Sequence, residues 1–231
     1  MGNSIFEKKK IVLFDLDGTL TDPGLGITNS VMYALERFGI TGVCRQDLYK
    51  FIGPPLSQSF ERFYGFSKED ALRAVSVYRE YFSTKGLFEN EIFDGIEVML
   101  KTLKAQGKKV CLATSKPEVF ATKILEHFGI LTYFDIISGS MLDGTRTDKG
   151  EVIAWALSEL ERRGEGSVSE QAIMIGDREH DIIGAHGNDI PVIGVLFGYG
   201  SREELEAAGA DLLAGSVSEL YSQLTGDTLG G

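Results

Sequence analysis

Apolar residues occur along this chain in two rhythms. Ile11–Phe14 and the stretches 110–113, 134–138, 172–175 and 191–195 are short, nearly continuous apolar runs, and each passes at its C-terminal side into polar or glycine residues. Runs of that kind read as strands buried on both faces. Between them apolar residues recur at helical spacing, as in 119–128 and 152–160. Strands alternating with helices are the signature of βαβ units, so the fold class is α/β with a doubly wound parallel sheet.

From Pro23 to about Phe88 only the helical rhythm is found: Val31, Leu35 and Phe38 share one face, as do Leu72, Val75 and Tyr78. An all-helical insert between the first and second βα units would stand as a lid over the strand ends. Two domains are therefore expected, a core of residues 1–22 and 88–231 and a helical domain of residues 23–87. Gly53-Pro54-Pro55 interrupts the insert, since two prolines remove donors and favour extended backbone. That break serves either as a helix connection or as a lid loop facing a substrate.

Composition narrows the class. With 231 residues, 43% hydrophobic and 25% charged, the chain can bury a sizeable core and belongs with ordinary globular proteins. Its formal net charge of −11 opposes a nucleic-acid polymer or an anionic membrane as partner. Lys8, Lys9 and Lys10 are expected as the solvated flank of the first strand. Cys44 and Cys111 cannot build a disulfide framework and are expected as free thiols in a reducing compartment. No membrane-length apolar stretch and no leader pattern are read, and at the start Phe6 stands where a myristoylation site wants Ser or Thr. A cytoplasmic protein is expected, monomeric or weakly homo-oligomeric.

Candidate chemistry gathers at the strand ends. In Phe14-Asp15-Leu16-Asp17-Gly18-Thr19-Leu20 an apolar run stops at two carboxylates one residue apart, which project to one side in extended geometry. An EF-hand calcium loop is excluded, because Leu20 and Gly26 stand where its glycine and glutamate belong. The run 109–113 delivers Thr114, Ser115, Lys116 and Pro117 at the start of a helix, where N–H groups and hydroxyls can cradle a phosphate and Ser115 can equally be an N-cap. Lys149 opens the helix 152–160 and can neutralise a phosphate oxygen. Gly176-Asp177 ends another strand, and Asp181 follows one helical turn later on the same face. Oxygen donors without cysteine or histidine suit a hard, six-coordinate cation, Mg²⁺ before Zn²⁺. His127 is expected to be structural, Trp155 to pack in the core, and His180 to lie away from Asp177 and Asp181.

These four segments, in this order, resemble the haloacid dehalogenase (HAD) superfamily of phosphohydrolases. The string Asp15-Leu16-Asp17-Gly18-Thr19 is specific, and Thr114, Lys149 and Gly176-Asp177 with Asp181 complete the set over the whole chain. The insert is similar to the family's smallest helical cap. Ile52-Gly53-Pro54-Pro55-Leu56 and Thr114-Ser115-Lys116-Pro117 look like the phosphoglycolate phosphatase group with its 5′-nucleotidase relatives. The resemblance implies a Rossmann-like core and a Mg²⁺-dependent phosphomonoesterase for small metabolites. Asp15 would be the nucleophile and Asp17 the general acid and base. Gly18, Thr114, Ser115 and Lys149 would bind the phosphate. Mg²⁺ would sit on Asp15, the Asp17 carbonyl and Asp177, with Asp181 orienting a metal-bound water. Gly53, Pro54, Ser57, Lys116 and Arg178 are candidates for substrate contact; Arg178 and His180 depart from the small polar residues common there.

A sugar phosphomutase would use the same nucleophile and metal, and a non-catalytic phosphate-binding protein the same cradle. A dehalogenase proper has no need of Asp17, Lys149 or Asp177.

Overall fold

In the computed structural model, which describes residues 6–229, the chain runs through eight strands and ten α-helices. Residues 1–5, where no leader is read, lie outside the described part. In chain order the elements are β1 (Ile11–Phe14), β2 (Thr21–Asp22), α1 (Gly24–Arg37), α2 (Leu56–Tyr64), α3 (Lys68–Tyr81), β3 (Glu91–Ile92), α4 (Ile96–Ala105), β4 (Lys109–Pro117) and α5 (Glu118–His127). They continue with β5 (Ile136–Ser140), α6 (Lys149–Arg162), α7 (Val168–Gln171), β6 (Ala172–Gly176), α8 (Glu179–His186), β7 (Val192–Val195), α9 (Arg202–Ala208), β8 (Leu212–Ala214) and α10 (Val217–Thr225). Two compact units result, one reaching Leu20 and resuming at Ile92, the other formed by Thr21–Glu91.

The first unit holds a six-stranded parallel sheet in the order β5-β4-β1-β6-β7-β8. Its strands read as unbroken apolar runs because both faces are covered. On one face Ile11, Leu13, Cys111, Ala113, Ala172 and Met174 pack with Val152, Ile153, Ala156 and Leu160 of α6 and Ile182 and Ala185 of α8. Burial pushes the Cys111 thiol up to about 12, so it behaves as a small apolar residue. The intervening residues Val12, Phe14, Val110, Leu112, Ile173 and Ile175 are buried on the opposite face. After β1 the chain builds outward through β4 and β5, then returns to place β6 on the other side of β1. That reversal is the switch point of a doubly wound sheet, where a crevice opens beyond the carboxyl ends of the strands.

The helical unit packs α1 and α2 against α3. Its aromatic interior sets Phe51 5.1 Å from Phe60, which stacks on Phe66 at 5.7 Å. Gly53, with φ 103°, turns the chain between a 3-10 segment, Arg45–Phe51, and α2, where Pro55 is the N-cap. No helix among the described residues is long and apolar enough to cross a membrane.

Four expectations are corrected. Leu72 is 63% exposed, because the stripe α3 buries is Ala71, Ala74, Val75 and Tyr78, and Leu72 lies about 110° around the helix from its centre. Trp155 is 38% exposed rather than core, about 130° from the α6 stripe, with the Arg146 guanidinium 4.3 Å over its ring. The strand 109–117 is longer than the apolar run: β4 continues through Ser115, so Ser115 is no N-cap, and Pro117 caps α5 instead of entering its first turn. A sixth strand of the parallel sheet, β8, was not expected, because three residues between Asp211 and Gly215 carry no alternation, and neither was the separate pair of two-residue strands, β2 and β3.

Trp155→Ala is therefore expected to cost at most about 1 kcal/mol, the value of an exposed cation–π contact. Leu160→Ala, from the buried stripe of the same helix, is expected to cost about 2–5 kcal/mol. Urea unfolding followed by circular dichroism separates the two; equal losses would return Trp155 to the core.

Candidate active site

The register of the sheet brings the acidic residues together. Phe14 stands level with Leu112 on β4 and Ile175 on β6, so the residues that follow on all three strands emerge at one edge. Asp15 N–H still donates to Ile175 O at 2.9 Å, which holds the first aspartate against the end of β6. Beyond it the chain closes a tight turn in which Leu20 N–H donates to Leu16 O at 2.9 Å. Gly18, with φ 82°, supplies the left-handed step of that turn.

Asp15, Asp17, Asp177 and Asp181 are all buried, Asp177 completely. One carboxylate oxygen each from Asp15, Asp177 and Asp181 lies within 4.8 Å of the others. Lys149, first residue of α6 and itself buried, donates from Nζ to Asp15 Oδ1 at 2.7 Å and to Ala113 O at 3.0 Å, and pairs with Asp181 Oδ1 at 2.8 Å. It is thus not the solvated helix-start residue that a lysine in this place usually is. Asp148 caps the helix, accepting from Gly150 N–H at 2.8 Å, and so fixes where the lysine enters.

Asp181 lies in the first turn of α8, and Asp177 precedes that helix instead of sharing a face of it. The two meet because Asp181 folds back: its Oδ2 accepts from Arg178 N–H at 3.0 Å. Asp181 thus joins Asp15 and Asp177 in one carboxylate cluster. Asp177 Oδ2 accepts from Tyr199 N–H at 2.7 Å, and Thr19 Oγ1 lies 3.5 Å from Oδ1.

Thr114 is buried at the end of the β4 run, and its Oγ1 accepts from Lys116 N–H at 3.2 Å. Ser115 O accepts from Ser140 Oγ at 2.8 Å. Lys116 turns inward, with Nζ 2.6 Å from Asp17 Oδ1 and both side chains nearly covered. Arg178 donates from Nε to Glu204 Oε1 at 2.8 Å, so this part of its guanidinium is engaged in holding α9 against the start of α8. Gly53, Pro54 and Ser57 belong to the helical unit.

The electrostatics follow from burial. Removal from water raises Asp17 above the ordinary carboxylate range, against the pull of the Lys116 ammonium. Asp177 is pushed well above it by burial and then by the charges of Asp181 and Asp15. Asp181 is also raised by burial, with Lys149 opposing. Burial alone would lower Lys149, yet Asp15 and Asp181 outweigh that and hold it firmly charged. Four buried carboxylates face two buried ammonium groups, an excess of negative charge that protons or a divalent cation must offset. All donors are oxygens, so a hard cation fits this set and a zinc ion does not.

Sequence spacing did not find the Tyr199 N–H or the partnership of Lys116 with Asp17. The first is a main-chain contact whose only signal is a pair of glycines, Gly198 and Gly200, just past β7.

The family model described as haloacid dehalogenase-like hydrolase matches residues 12–195. A 5′-nucleotidase of Pseudomonas aeruginosa PAO1 is 50% identical over 196 residues, 85% of this chain and 86% of its own length. Tyrosine-protein kinase PtkA of Mycobacterium tuberculosis H37Rv is 39% identical over 221 residues, 94% of this chain and 73% of its own. The crystal structure of a phosphatase from Clostridium acetobutylicum, so described from prediction, matches with a TM-score of 0.89 at 50% identity, covering 93% of this chain and 97% of that one. The chain belongs to the haloacid dehalogenase-like hydrolase family and is an enzyme of its phosphatase kind.

Proposed function

We propose that this enzyme hydrolyses small phosphomonoesters of the nucleoside 5′-monophosphate or phosphoglycolate type, with Asp15 as the attacking group. The observation that carries the reading is Lys149 Nζ, which ties Asp15 to Asp181 beside Asp177 at the carboxyl edge of the sheet. A lysine held charged there can receive a phosphoryl oxygen while Asp15 meets phosphorus. The resemblance of the chain to a 5′-nucleotidase at 50% identity supports a nucleotide before phosphoglycolate as substrate.

In this mechanism an Asp15 carboxylate oxygen bonds to phosphorus as the ester oxygen leaves, giving an acyl phosphate on Asp15. Asp17, whose proton affinity burial has raised, gives its proton to the leaving alkoxide and then takes one from the water that attacks phosphorus, as the bond from Asp15 oxygen to phosphorus breaks to release inorganic phosphate and restore the carboxylate. Thr114 and Ser115 with main-chain N–H groups near Gly18 bind the remaining oxygens, and Lys149 balances their charge. Asp15, the Asp17 carbonyl and Asp177 would hold Mg²⁺, with Asp181 steadying the set. Bound there, the ion supplies neutralisation of phosphoryl charge. Lys116 stands beside Asp17, where it can turn from that carboxylate to a substrate oxygen. The helical unit, inserted directly after the acidic turn, is proposed as the cap that excludes water, with Gly53, Pro54 and Ser57 contacting the leaving group.

Asp15→Asn is expected to lower kcat by at least about 10⁴-fold and to abolish incorporation of label from ³²P-substrate. Asp17→Asn is expected to lose about 10²–10⁴-fold. Release of inorganic phosphate from AMP, 2-phosphoglycolate and a hexose phosphate measures this. A wild-type enzyme that isomerises the hexose phosphate and releases no phosphate would identify a mutase.

A second expectation concerns pH. Groups whose folded pKa is raised stabilise the fold below the unfolded value, about 3.9 for aspartate, and that stability is lost as pH rises through the folded value. Asp177, Asp181 and Asp17 are all of this kind. In chelator at pH 7.5, Asp177→Asn should therefore melt at least about 2 °C above wild type, the gap closing toward pH 4. Excess Mg²⁺ should reverse the order, raising wild type by about 5–10 °C at a hundredfold over its Kd. Scanning calorimetry with and without Mg²⁺ at both pH values checks it; wild type indifferent to Mg²⁺ overturns the cation site.

A further inference from the structure

Past β7 the chain reads Leu196-Phe197-Gly198-Tyr199-Gly200-Ser201, and Ser201 then caps α9. Two glycines flank one aromatic residue at the edge of the sheet, outside the four segments that the proposed chemistry uses. Their surroundings are unusually close. A Cβ on Gly198 would stand 2.6 Å from Asp177 Oδ2 and closer still to Asp177 Cβ and to the Gly18 carbonyl. A Cβ on Gly200 would stand 3.1 Å from the Asp177 carbonyl carbon and nearer to its oxygen. A Cβ on Gly18 would fall 2.6 Å from Asp177 Cγ. Most of these neighbours are backbone or the stem of a fully buried side chain, which have nowhere to move.

Three glycines from two loops therefore pack against Asp177, and the loop past β7 brings a main-chain N–H to it. Tyr199 N–H donates to Oδ2 at 2.7 Å, while the Thr19 hydroxyl lies 3.5 Å from Oδ1. The carboxylate is thus bound firmly on one oxygen, which sets the rotation of the group about its Cβ–Cγ bond. Asp15 and Asp181, the like charges beside it, would otherwise drive it to turn away.

We propose that Gly198-Tyr199-Gly200 is a positioning loop for Asp177: the glycines permit the approach, and the Tyr199 N–H fixes Oδ2 so that Oδ1 is presented to a divalent cation. This deepens the phosphatase reading and rests on it. The loop is assigned a role through Asp177, as hydrogen-bonding partners of metal-binding side chains have when they fix ligand orientation. The glycines are required by space, and the donor is a main-chain group.

The test uses the full chain and Mg²⁺ itself. Titration calorimetry of Gly198→Ala should show Mg²⁺ affinity weakened about 10–100-fold relative to wild type, with kcat recovered once Mg²⁺ is raised to saturation. A purely structural loop would lower the melting temperature and leave the affinity alone, and a folded Gly198→Ala protein with wild-type Mg²⁺ affinity overturns the proposal. If the variant does not fold, wild type decides. In ¹⁵N–¹H spectra the Tyr199 amide resonance should shift with Mg²⁺ and saturate at the calorimetric Kd. A Tyr199 resonance that stays in place while the ion binds overturns the proposal. A wild-type chain that takes up no Mg²⁺ at all overturns this inference together with the phosphatase reading beneath it, whereas Mg²⁺ uptake that ignores the loop overturns this inference alone.

Discussion

Asp15, Asp177 and Asp181 repel one another in a place from which solvent is excluded, and the contact that makes their proximity tolerable is Lys149 Nζ, 2.7 Å from Asp15 and 2.8 Å from Asp181. A lone ammonium cannot neutralise three carboxylates, and Lys116 is occupied with Asp17. The residual negative charge costs folding free energy that the apolar sheet beneath must offset. The sheet is suited to this: β1 is flanked by β4 and β6 and buried on both faces, so Asp15 directly follows an enclosed strand in the middle of the sheet. Rigid mounting is what a charged group needs if it is to keep its orientation against its neighbours.

Legibility in the sequence followed the size of the signal. The end of β1 was readable because an apolar run stops abruptly at two acids, a pattern that packing alone does not call for. Lys149 was readable by its place at a helix start, and its burial followed only from the return of α6 against β4 and β5. Leu72 and Trp155 misled for a common reason. Each lies next in sequence to buried positions, yet one residue of offset is about 100° on a helix, enough to turn a side chain from core to solvent. Ser115 misled because a strand that bends need not stop, and β4 runs on through a register shift between Thr114 and Pro117. The Tyr199 contact had no side-chain signature at all, since every residue but proline carries the donor it uses.

Family membership and chemistry are carried by different parts of the chain. The sheet order and its reversal at β1 are what the chain has in common with other doubly wound proteins, whatever they catalyse. The side chains at the edge are what narrow the reaction, and relatives called nucleotidase and tyrosine kinase share much of this chain's sequence. Both names concern the handling of phosphoryl groups, which agrees with a site whose chemistry is oxygen donors, lysines and a shortage of positive charge.

The stacking of Arg146 on Trp155 gives the molecule an optical handle. The chain has a single tryptophan, half covered, with a guanidinium 4.3 Å over its ring. That guanidinium also donates to Gly139 O and Glu118, and its backbone is held at a φ of 52° in the loop leading to Lys149. Any displacement of this loop changes the polarity around the indole. Emission from an unlabelled sample therefore reports, without interference from a second fluorophore of its kind, on the segment that delivers the buried lysine.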